Sequence, residues 1–488
     1  MVTARKKVAV VLIHGIGEQI PMQTVEGFVQ AAWVENGEAH WTPPGDENAA
    51  DIWYKPDPLT GSRELRRITT RWTKSKVSSS AKGPRIDFFE LYWADLAAGP
   101  TAEEVWDWLR TLLWRPWSQV PHGLKGAWIL LWTTTLFIGG LSLAAVMPWP
   151  GAWLHFGLVI LAGGVALGMQ YVVAPYAGRV ARYVRADPRN IAIRAAIRDR
   201  GLKLLRDLHD RGSYERIVFV AHSLGAVIAY DLVSLLWAER SETLVIHEDE
   251  PAFAKLRALE AAAHLLERAP REDLERRRSD YRDAQRAFRL ALRSGGEDGT
   301  HRQRKPDEEW LISDLVTLGS PLVHAQFLVA RDQADLAYKI KRWLFPTNWP
   351  QFQRIESEQR DKINDRPQPP STEVLGPEGG LFSYFRGPSG TWSMHHSAPF
   401  AAVRWTNVYD PHRCIFKGDI ISGPAAPVFG DGILDVDLRE VRGKSPGFTH
   451  TLYWSLQPEN AKVIKVLQKA IDLTDRPDGE IWTKRASV

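Results

Sequence analysis

The sequence contains very little cysteine: Cys414 is the only one among 488 residues. A single cysteine cannot form a disulfide within the chain, which excludes a disulfide-stapled scaffold and favours a reducing compartment. A secretory signal is not expected, because the basic residues 1–7 precede only six apolar residues and then a glycine-containing turn. The net charge of +4 comes without a basic recognition motif, so no nucleic-acid partner is expected.

Charge is missing from one long stretch: the 53 residues between Lys125 and Arg179 contain no Asp, Glu, Lys or Arg. The apolar spans 127–147 and 153–173 each have about the 20 residues needed to cross a bilayer as a helix. Tryptophans lie near the ends of both spans, as in an interfacial belt. The alternatives are two buried core helices or a hairpin that enters one leaflet, but soluble cores rarely contain two such runs in succession.

Basic residues flank this uncharged stretch on both sides. They are Arg110, Arg115, Lys125, Arg179, Arg182 and Arg185. The positive-inside rule therefore places both outer ends of a transmembrane hairpin in the cytosol. The sequence predicts an integral, two-pass membrane protein with the lipid bilayer as partner. Its termini and the domain formed by the segments on either side of the hairpin are expected to be cytosolic, at the inner membrane if the source is bacterial.

A serine lies between two strongly patterned segments in the middle of the chain. Residues 217–220 predict a buried strand, residues 226–230 favour a helix, and the pentad AHSLG separates them. A small-x-Ser-x-Gly pentad is typical of the nucleophile elbow, a tight strand-to-helix turn that exposes a serine hydroxyl above a sheet. Gly225 fits the pattern, whereas Ala221 replaces the commoner glycine. The pattern makes Ser223 the candidate nucleophile.

A second apolar run, residues 8–13, leads into the tetrapeptide HGIG. In enzymes with a nucleophile elbow, an HGxG turn supplies one backbone N–H of the oxyanion hole, and the residue after the nucleophile supplies the other. The predicted donors are Ile16 and Leu224. The residues expected to shape the two turns are His14, Gly15, Gly17 and Gly225. A dinucleotide-binding fingerprint is not supported, because GxGxxG is incomplete.

The remaining members of a triad are expected in the chain order acid, then histidine. His450 is the candidate base, because it lies in a loop just before the helical pattern of residues 459–473. The pair His395 and His396 fits less well, since it precedes the strand expected to carry the acid.

Two aspartates compete for the role of the acid. Asp410 ends a predicted strand, but Pro411 after it favours a turn. Asp419 follows a short insertion and precedes apolar residues and a glycine. This pattern is similar to that around the acid of lipase-like hydrolases, and the resemblance favours Asp419. Asp435 and Asp437 are better explained by alternation in a strand than by a metal site, so neither a metal nor a cofactor is expected.

Together these motifs resemble those of lipase-like serine esterases of the α/β-hydrolase superfamily. The resemblance rests on HGIGEQ at residues 14–19, AHSLGA at 221–226, TLGSP at 317–321 and the late His450. It implies an α/β fold with a doubly wound, mostly parallel sheet, here interrupted by an inserted transmembrane helical hairpin and by helical cap insertions. It also implies catalysis by Ser223, His450 and Asp419, with Asp410 as the alternative acid.

The length of the chain leaves room for insertions into such a domain. Residues 251–293 predict two charged amphipathic helices, either as a cap or as a solvated hairpin. The expected divisions are the first part of the core at 1–125, the transmembrane hairpin at 126–176, the elbow region at 177–250, the charged helical insertion at 251–308, and the last part of the core at 309–488 with an irregular insertion at 338–398.

The sequence therefore predicts a membrane-anchored serine hydrolase that cleaves carboxylic esters of lipid or acylated substrates through an acyl-enzyme. An acyltransferase or thioesterase with the same triad is one alternative. A non-catalytic scaffold that keeps the fold is another.

Overall fold

The computed structural model describes most of the chain outside residues 98–187. The described residues are 6–16, 20–42, 48–60, 64–75, 81–97, 110, 113–120, 124–147, 153, 156–157, 160–161, 163–164, 183, 188–293, 304–354, 380–386, 391–412, 417–442 and 447–482.

Thirteen strands and twelve α-helices occur in these residues. The strands are β1 (Lys7–Ile13), β2 (Ile52–Pro56), β3 (Arg66–Lys74), β4 (Lys82–Leu91), β5 (Tyr214–His222), β6 (Ile246–His247), β7 (Ile312–Leu318), β8 (Gln353–Arg354), β9 (Gly380–Leu381), β10 (Ser383–Phe385), β11 (Thr391–Met394), β12 (Arg404–Tyr409) and β13 (Leu434–Asp437). The helices are α1 (Gln23–Val29), α2 (Lys125–Val146), α3 (Pro188–Asp210), α4 (Leu224–Ser241), α5 (Pro251–Glu267), α6 (Leu274–Ala291), α7 (Ala325–Leu328), α8 (Gln333–Lys341), α9 (Ala426–Phe429), α10 (Arg439–Arg442), α11 (Ala461–Ile471) and α12 (Asp478–Trp482).

An eight-stranded, mostly parallel sheet forms the centre of the α/β fold. Its strand order is β13-β12-β7-β5-β1-β4-β3-β2. The five pairs from β13 to β4 are parallel, and β3 and β2 extend the β4 edge with antiparallel pairs. The central strands consist of β-branched and other apolar residues buried on both faces, as a sheet covered by helices requires.

The chain changes direction across the sheet at β1. After β1 it builds β2, β3 and β4 on one side, and then returns to add β5, β7, β12 and β13 on the other. In an open parallel sheet, ligands bind at such a switch point, in the crevice outside the carboxyl ends of the strands. The residues that follow β1 and β5 are therefore the first candidates for a functional site.

Helices cover both faces of this sheet. One core contains Phe219 of β5 and Leu315 of β7 together with apolar side chains of α3, α4, α5 and α6. The other contains Val220 and Val316, from the opposite faces of the same strands, with side chains of α1 and α11. Residues 251–293 form the two helices predicted from the sequence, α5 and α6.

Buried ion pairs hold α6 against the amino-terminal ends of the strands. Arg216 of β5 and Arg404 of β12 lie 2.6 and 2.9 Å from the carboxylate of Asp314 in β7. Arg289 of α6 lies 2.7 Å from Asp475 in the same cluster. Burial raises the pKa of Asp314, but the two arginines outweigh it and hold this pKa well below its ordinary value. Ser223 follows the carboxyl end of β5. These ion pairs therefore fix α6 at the opposite ends of the strands.

Helix α2 occupies the first of the two uncharged spans. Several of its large apolar side chains are exposed, including Leu136, Phe137 and Leu143. Within the described ranges, no helix combines the length and the apolar character that a bilayer crossing requires. Most of the second predicted span, residues 153–173, lies outside the described residues.

Candidate active site

Ser223 occupies the turn between β5 and α4, at the carboxyl end of the sheet. Its backbone angles are φ 53° and ψ −128°. A non-glycine residue in this region is strained, and such strain concentrates at functional sites where the surroundings enforce it. The backbone N–H of Ser223 donates to the Leu318 carbonyl at 3.0 Å, so the neighbouring strand β7 holds the turn in place. The local geometry is that of the elbow expected from the AHSLG pentad.

Two glycines allow the β1 turn to pack directly against this elbow. A Cβ placed on Gly225 would lie 2.6 Å from the carbonyl oxygen of Ile13. A Cβ on Gly15 would lie 2.8 Å from the Cβ of Ser223. Both distances are too short for a side chain, so any larger residue would separate the two turns. The glycines of the two motifs are therefore explained by one close approach of backbone to backbone.

The structure brings Ser223, His450 and Asp419 into one hydrogen-bonded chain. The Nε2 atom of His450 lies 2.9 Å from Oγ of Ser223. Its Nδ1 atom lies 2.9 Å from Oδ2 of Asp419. An ionised Asp419 requires the proton on Nδ1, which leaves Nε2 as an acceptor for the serine hydroxyl. Asp419 and Ser223 lie 31 and 227 positions away from His450 in the sequence. The three side chains nevertheless meet with the geometry of a nucleophile, a base and an orienting acid.

Asp419 has donors other than His450. The Tyr453 hydroxyl donates to Oδ2 at 2.7 Å, and the Ile421 backbone N–H donates to Oδ1 at 3.0 Å. Burial raises the pKa of Asp419, but the hydrogen bond and charge of His450, followed by the Tyr453 hydroxyl, outweigh it and hold this pKa below its ordinary value. Asp419 is therefore kept as a carboxylate although it is buried.

Asp410 lies beside the triad without joining it. Its backbone carbonyl accepts from the N–H of Asp419 at 2.8 Å, and its carboxylate lies 3.3 Å from Arg442. Burial raises the pKa of Asp410, against the opposing influence of Thr449 and Arg442. Of the two candidate acids, Asp419 is the one that contacts His450.

The glycine of the TLGSP motif closes the site from the β7 side. Gly319 has φ +60°, and a Cβ there would lie 2.7 Å from the Tyr453 ring, 2.9 Å from Oδ2 of Asp419 and 3.2 Å from Nδ1 of His450. Glycine at this position is required both by the backbone conformation and by the space that the acid and base occupy. The motif thus has a direct geometric relation to the triad.

His222 takes a place that the sequence does not predict. Its Nε2 atom lies 2.7 Å from the backbone carbonyl of His450. Burial lowers the pKa of His222 to about 3, so the neutral ring donates from Nε2 to that carbonyl. Its ring also packs 4.8 Å from the ring of His450, centroid to centroid. His222 therefore supports the base through its backbone and its ring.

The predicted oxyanion donors lie on the two turns that meet at Ser223. Leu224 is the first residue of α4, where backbone N–H groups have no partner within the helix. Ile16 follows Gly15 in the β1 turn, and Gly17 lies outside the described residues. The carbonyl of His14 accepts from the Trp93 indole at 3.0 Å. This hydrogen bond ties the β1 turn to the residue that follows β4 by two positions.

Asp435 and Asp437 have structural partners. Asp435 accepts hydrogen bonds from Asn407 and from the backbone N–H groups of Ala425 and Ala426. Asp437 accepts from the guanidinium of Arg439. In the part of the chain that the structure describes, no group of three or more His, Cys, Asp or Glu side chains is arranged to hold a metal ion.

Comparison with protein-family models, curated proteins and solved structures yields no match to this chain. The geometry around Ser223, His450 and Asp419 therefore carries the functional argument by itself.

Proposed function

We propose that this protein is a serine hydrolase that cleaves carboxylic esters. The observation that carries the proposal is the chain of hydrogen bonds from Ser223 through His450 to Asp419, with both distances at 2.9 Å. Such a chain activates an alcohol that is otherwise a weak nucleophile. The strained backbone of Ser223 and its position at the switch point of the sheet support the same conclusion.

In the first half-reaction, Oγ of Ser223 attacks the ester carbonyl while Nε2 of His450 takes its proton. The carboxylate of Asp419 holds the imidazole in the required tautomer and stabilises the imidazolium. His450 then gives the proton to the departing alkoxide, which leaves as the alcohol, and the acyl group stays on Ser223. In the second half-reaction, a water molecule gives a proton to His450 and attacks the carbonyl of the acyl-enzyme. The bond between the acyl group and Oγ of Ser223 then breaks as His450 returns the proton to Oγ, and the carboxylic acid is released.

The backbone N–H groups of Ile16 and Leu224 stabilise the oxyanion that forms in both half-reactions. Removal of one donor in comparable sites costs about 3–4 kcal/mol of transition-state stabilisation. The close packing of Gly15 against Ser223 supports this assignment, because it brings the β1 turn to the nucleophile. The mostly parallel sheet with helices on both faces supports the proposal of a doubly wound α/β-hydrolase, in which the residues before and after the uncharged stretch form one catalytic domain.

We further propose that the enzyme is anchored to a membrane through residues 126–176, with its catalytic domain and both termini in the cytosol. The uncharged sequence, the basic flanks and the exposed Leu136, Phe137 and Leu143 of α2 support the anchor. Lipid or acylated esters presented at that surface are then the natural substrates. Carbonate washing of membranes checks this part. Retention of the full chain until detergent is added supports it, and release by carbonate contradicts it.

Turnover of p-nitrophenyl butyrate tests the hydrolase itself. Ser223→Ala is expected to reduce kcat to background, a loss of roughly a million-fold where comparable triads have been dissected. Ser234→Ala is the matched control, because Ser234 lies on the same helix and its hydroxyl only donates to the Tyr230 carbonyl. Equal turnover by wild type and Ser223→Ala would contradict the proposal.

A further inference from the structure

A cavity of about 400 Å³ lies along the outer side of α4. Among the described residues, its walls come from Tyr183, from α3, from α4 and from the segment between Val329 and Phe345. This volume is in the range of sites that bind small molecules. Ser223 is not among the lining residues, although Val227, one helical turn further along α4, is. The cavity is thus a neighbour of the candidate active site rather than a part of it.

The charges of the described lining residues are unbalanced. Among these residues, Arg194, Arg198 and Lys339 are accompanied by one carboxylate, that of Asp231. Arg198 approaches Asp231 at 2.6 Å and the Tyr183 hydroxyl donates to the same oxygen, so Asp231 is neutralised within the wall. Positive charge therefore remains in excess inside a partly enclosed space.

Arg194 is the main source of that excess. It lies one turn before Arg198 on the same face of α3. Among the described residues it has no carboxylate within ion-pair distance, and its Nε is buried without a hydrogen-bond partner. Burial lowers the pKa of Arg194 and the charge of Arg198 lowers it further, against the opposing charge of Asp231. An anion in the cavity would offset these unfavourable effects on the charged guanidinium.

Lys339 has a different arrangement. Its ammonium group donates to the Val329 carbonyl at 3.1 Å and pairs with Asp335 at 2.9 Å. These contacts fix Lys339 at the wall, and the carboxylate of Asp335 offsets its positive charge. The guanidinium of Arg194 is consequently the group best suited to bind an anion, and arginine binds phosphate oxygens with two parallel hydrogen bonds.

The cavity also has an apolar part. Val227 and Leu235 of α4 line it together with Leu344 and Phe345. Leu344, which lines the cavity, is 61% exposed to solvent. A small inorganic anion on Arg194 would leave this apolar surface in contact with water, whereas a hydrocarbon chain would cover it.

One wall of the cavity is tied to the segment that leads into α2. The guanidinium of Arg115 donates to the carbonyls of Phe327 and Ala330 at 2.9 and 3.1 Å. These two residues lie close in sequence to Val329, which lines the cavity. Arg115 thus links the cavity wall to the segment that precedes the proposed membrane anchor, and this step rests on the proposed function.

We propose that this cavity binds a single-chain amphiphile with a phosphate head group, held by Arg194 at the head and by Val227, Leu235, Leu344 and Phe345 along the chain. The site is separate from the Ser223 triad, and its occupancy requires no catalysis. A free phosphate ion shares the head-group chemistry but makes none of the apolar contacts.

Isothermal titration of the full-length protein with octyl phosphate and, separately, with inorganic phosphate tests the site. Octyl phosphate is expected to bind at least tenfold more tightly than inorganic phosphate. Arg194→Gln should weaken octyl phosphate at least tenfold. Leu344→Ser should weaken the binding of octyl phosphate and leave the affinity for inorganic phosphate unchanged, because the substitution removes only apolar contact. Unchanged melting temperatures of both variants verify that each has folded.

Arg206→Gln is the matched control, since it removes the same charge from the same helix at an exposed ion pair with Glu239. It should bind octyl phosphate like the wild type. The proposal is overturned if Arg194→Gln binds octyl phosphate as tightly as the wild type, or if Arg206→Gln weakens it equally. It is also overturned if inorganic phosphate binds as tightly as octyl phosphate, because the ligand is then a free anion.

Discussion

The hydroxyl of Tyr453 donates to Asp419 at 2.7 Å, on the same oxygen, Oδ2, that accepts from Nδ1 of His450. One carboxylate oxygen thus accepts two hydrogen bonds, one from the imidazole of His450 and one from a buried phenol. Burial and the neighbouring negative charge of Asp419 raise the pKa of Tyr453 well above its ordinary value, so the phenol keeps its proton. Tyr453 is therefore a positioning residue for the acid of the proposed triad.

Tyr453→Phe should lower kcat for p-nitrophenyl butyrate about tenfold and leave KM unchanged, since one hydrogen bond to a charged group is lost without change in the packed ring. Steady-state kinetics gives both parameters. Tyr409→Phe is the matched control, because its hydroxyl lies 3.5 Å from another aspartate, Asp437, outside the site. Equal losses in the two variants, or a change in KM alone, would argue against positioning of Asp419.

Asp419→Asn should lower kcat by about 10⁴-fold, because the amide favours the wrong tautomer of His450. Asp410→Asn is the natural control, since Asp410 is buried beside Asp419 but its carboxylate faces Arg442. We expect a loss of less than tenfold for it. The reverse order of effects would assign the acid to Asp410.

Residues close in sequence could be placed from the sequence alone. The elbow at Ser223 and the turn at Gly15 depend on short motifs whose glycines are fixed by local backbone contacts. The choice between Asp410 and Asp419 depends on a non-local contact. The chain departs after Pro411 and returns beside it at Asp419, and no periodic pattern predicts that return.

Two residues that contact the triad, Tyr453 and His222, were not predicted. Their roles depend on where a hydroxyl group and an imidazole ring point in the folded chain. Tyr453 is only three residues from His450, but nothing in the spacing shows that its hydroxyl reaches Asp419. His222 ends a strand, and its contact with the carbonyl of His450 spans 228 positions. The switch point at β1 and β5 could not be read either, since the strand order depends on pairings between distant segments.

Glu90 gives the protein a specific dependence of stability on pH. It is buried at the end of β4, and its carboxylate accepts from the Met22 N–H at 2.8 Å. Burial raises the pKa of Glu90 to about 7, against the opposing effect of that hydrogen bond. Since the folded pKa exceeds the unfolded one, the neutral form stabilises the fold at low pH, and this contribution is lost as pH rises toward 7.

Glu90→Gln should remove this dependence, because the amide keeps an acceptor for Met22 and never ionises. Near pH 4 the two proteins should have similar free energies of unfolding. Above pH 8 the variant should be more stable by about 3 kcal/mol, the equivalent of a shift of between two and three pKa units. Urea unfolding across this pH range measures the difference. A difference that does not change with pH would show that Glu90 does not titrate as described.

The central claim is that Ser223 is an activated nucleophile. Mass spectrometry of the full-length protein after treatment with a fluorophosphonate tests it most directly, because the reagent forms a covalent bond with such a serine. We predict one adduct on the peptide that contains Ser223, its absence in Ser223→Ala, and its retention in Ser234→Ala. Absence of an adduct from the folded wild-type protein, or equal labelling of wild type and Ser223→Ala, would contradict the account.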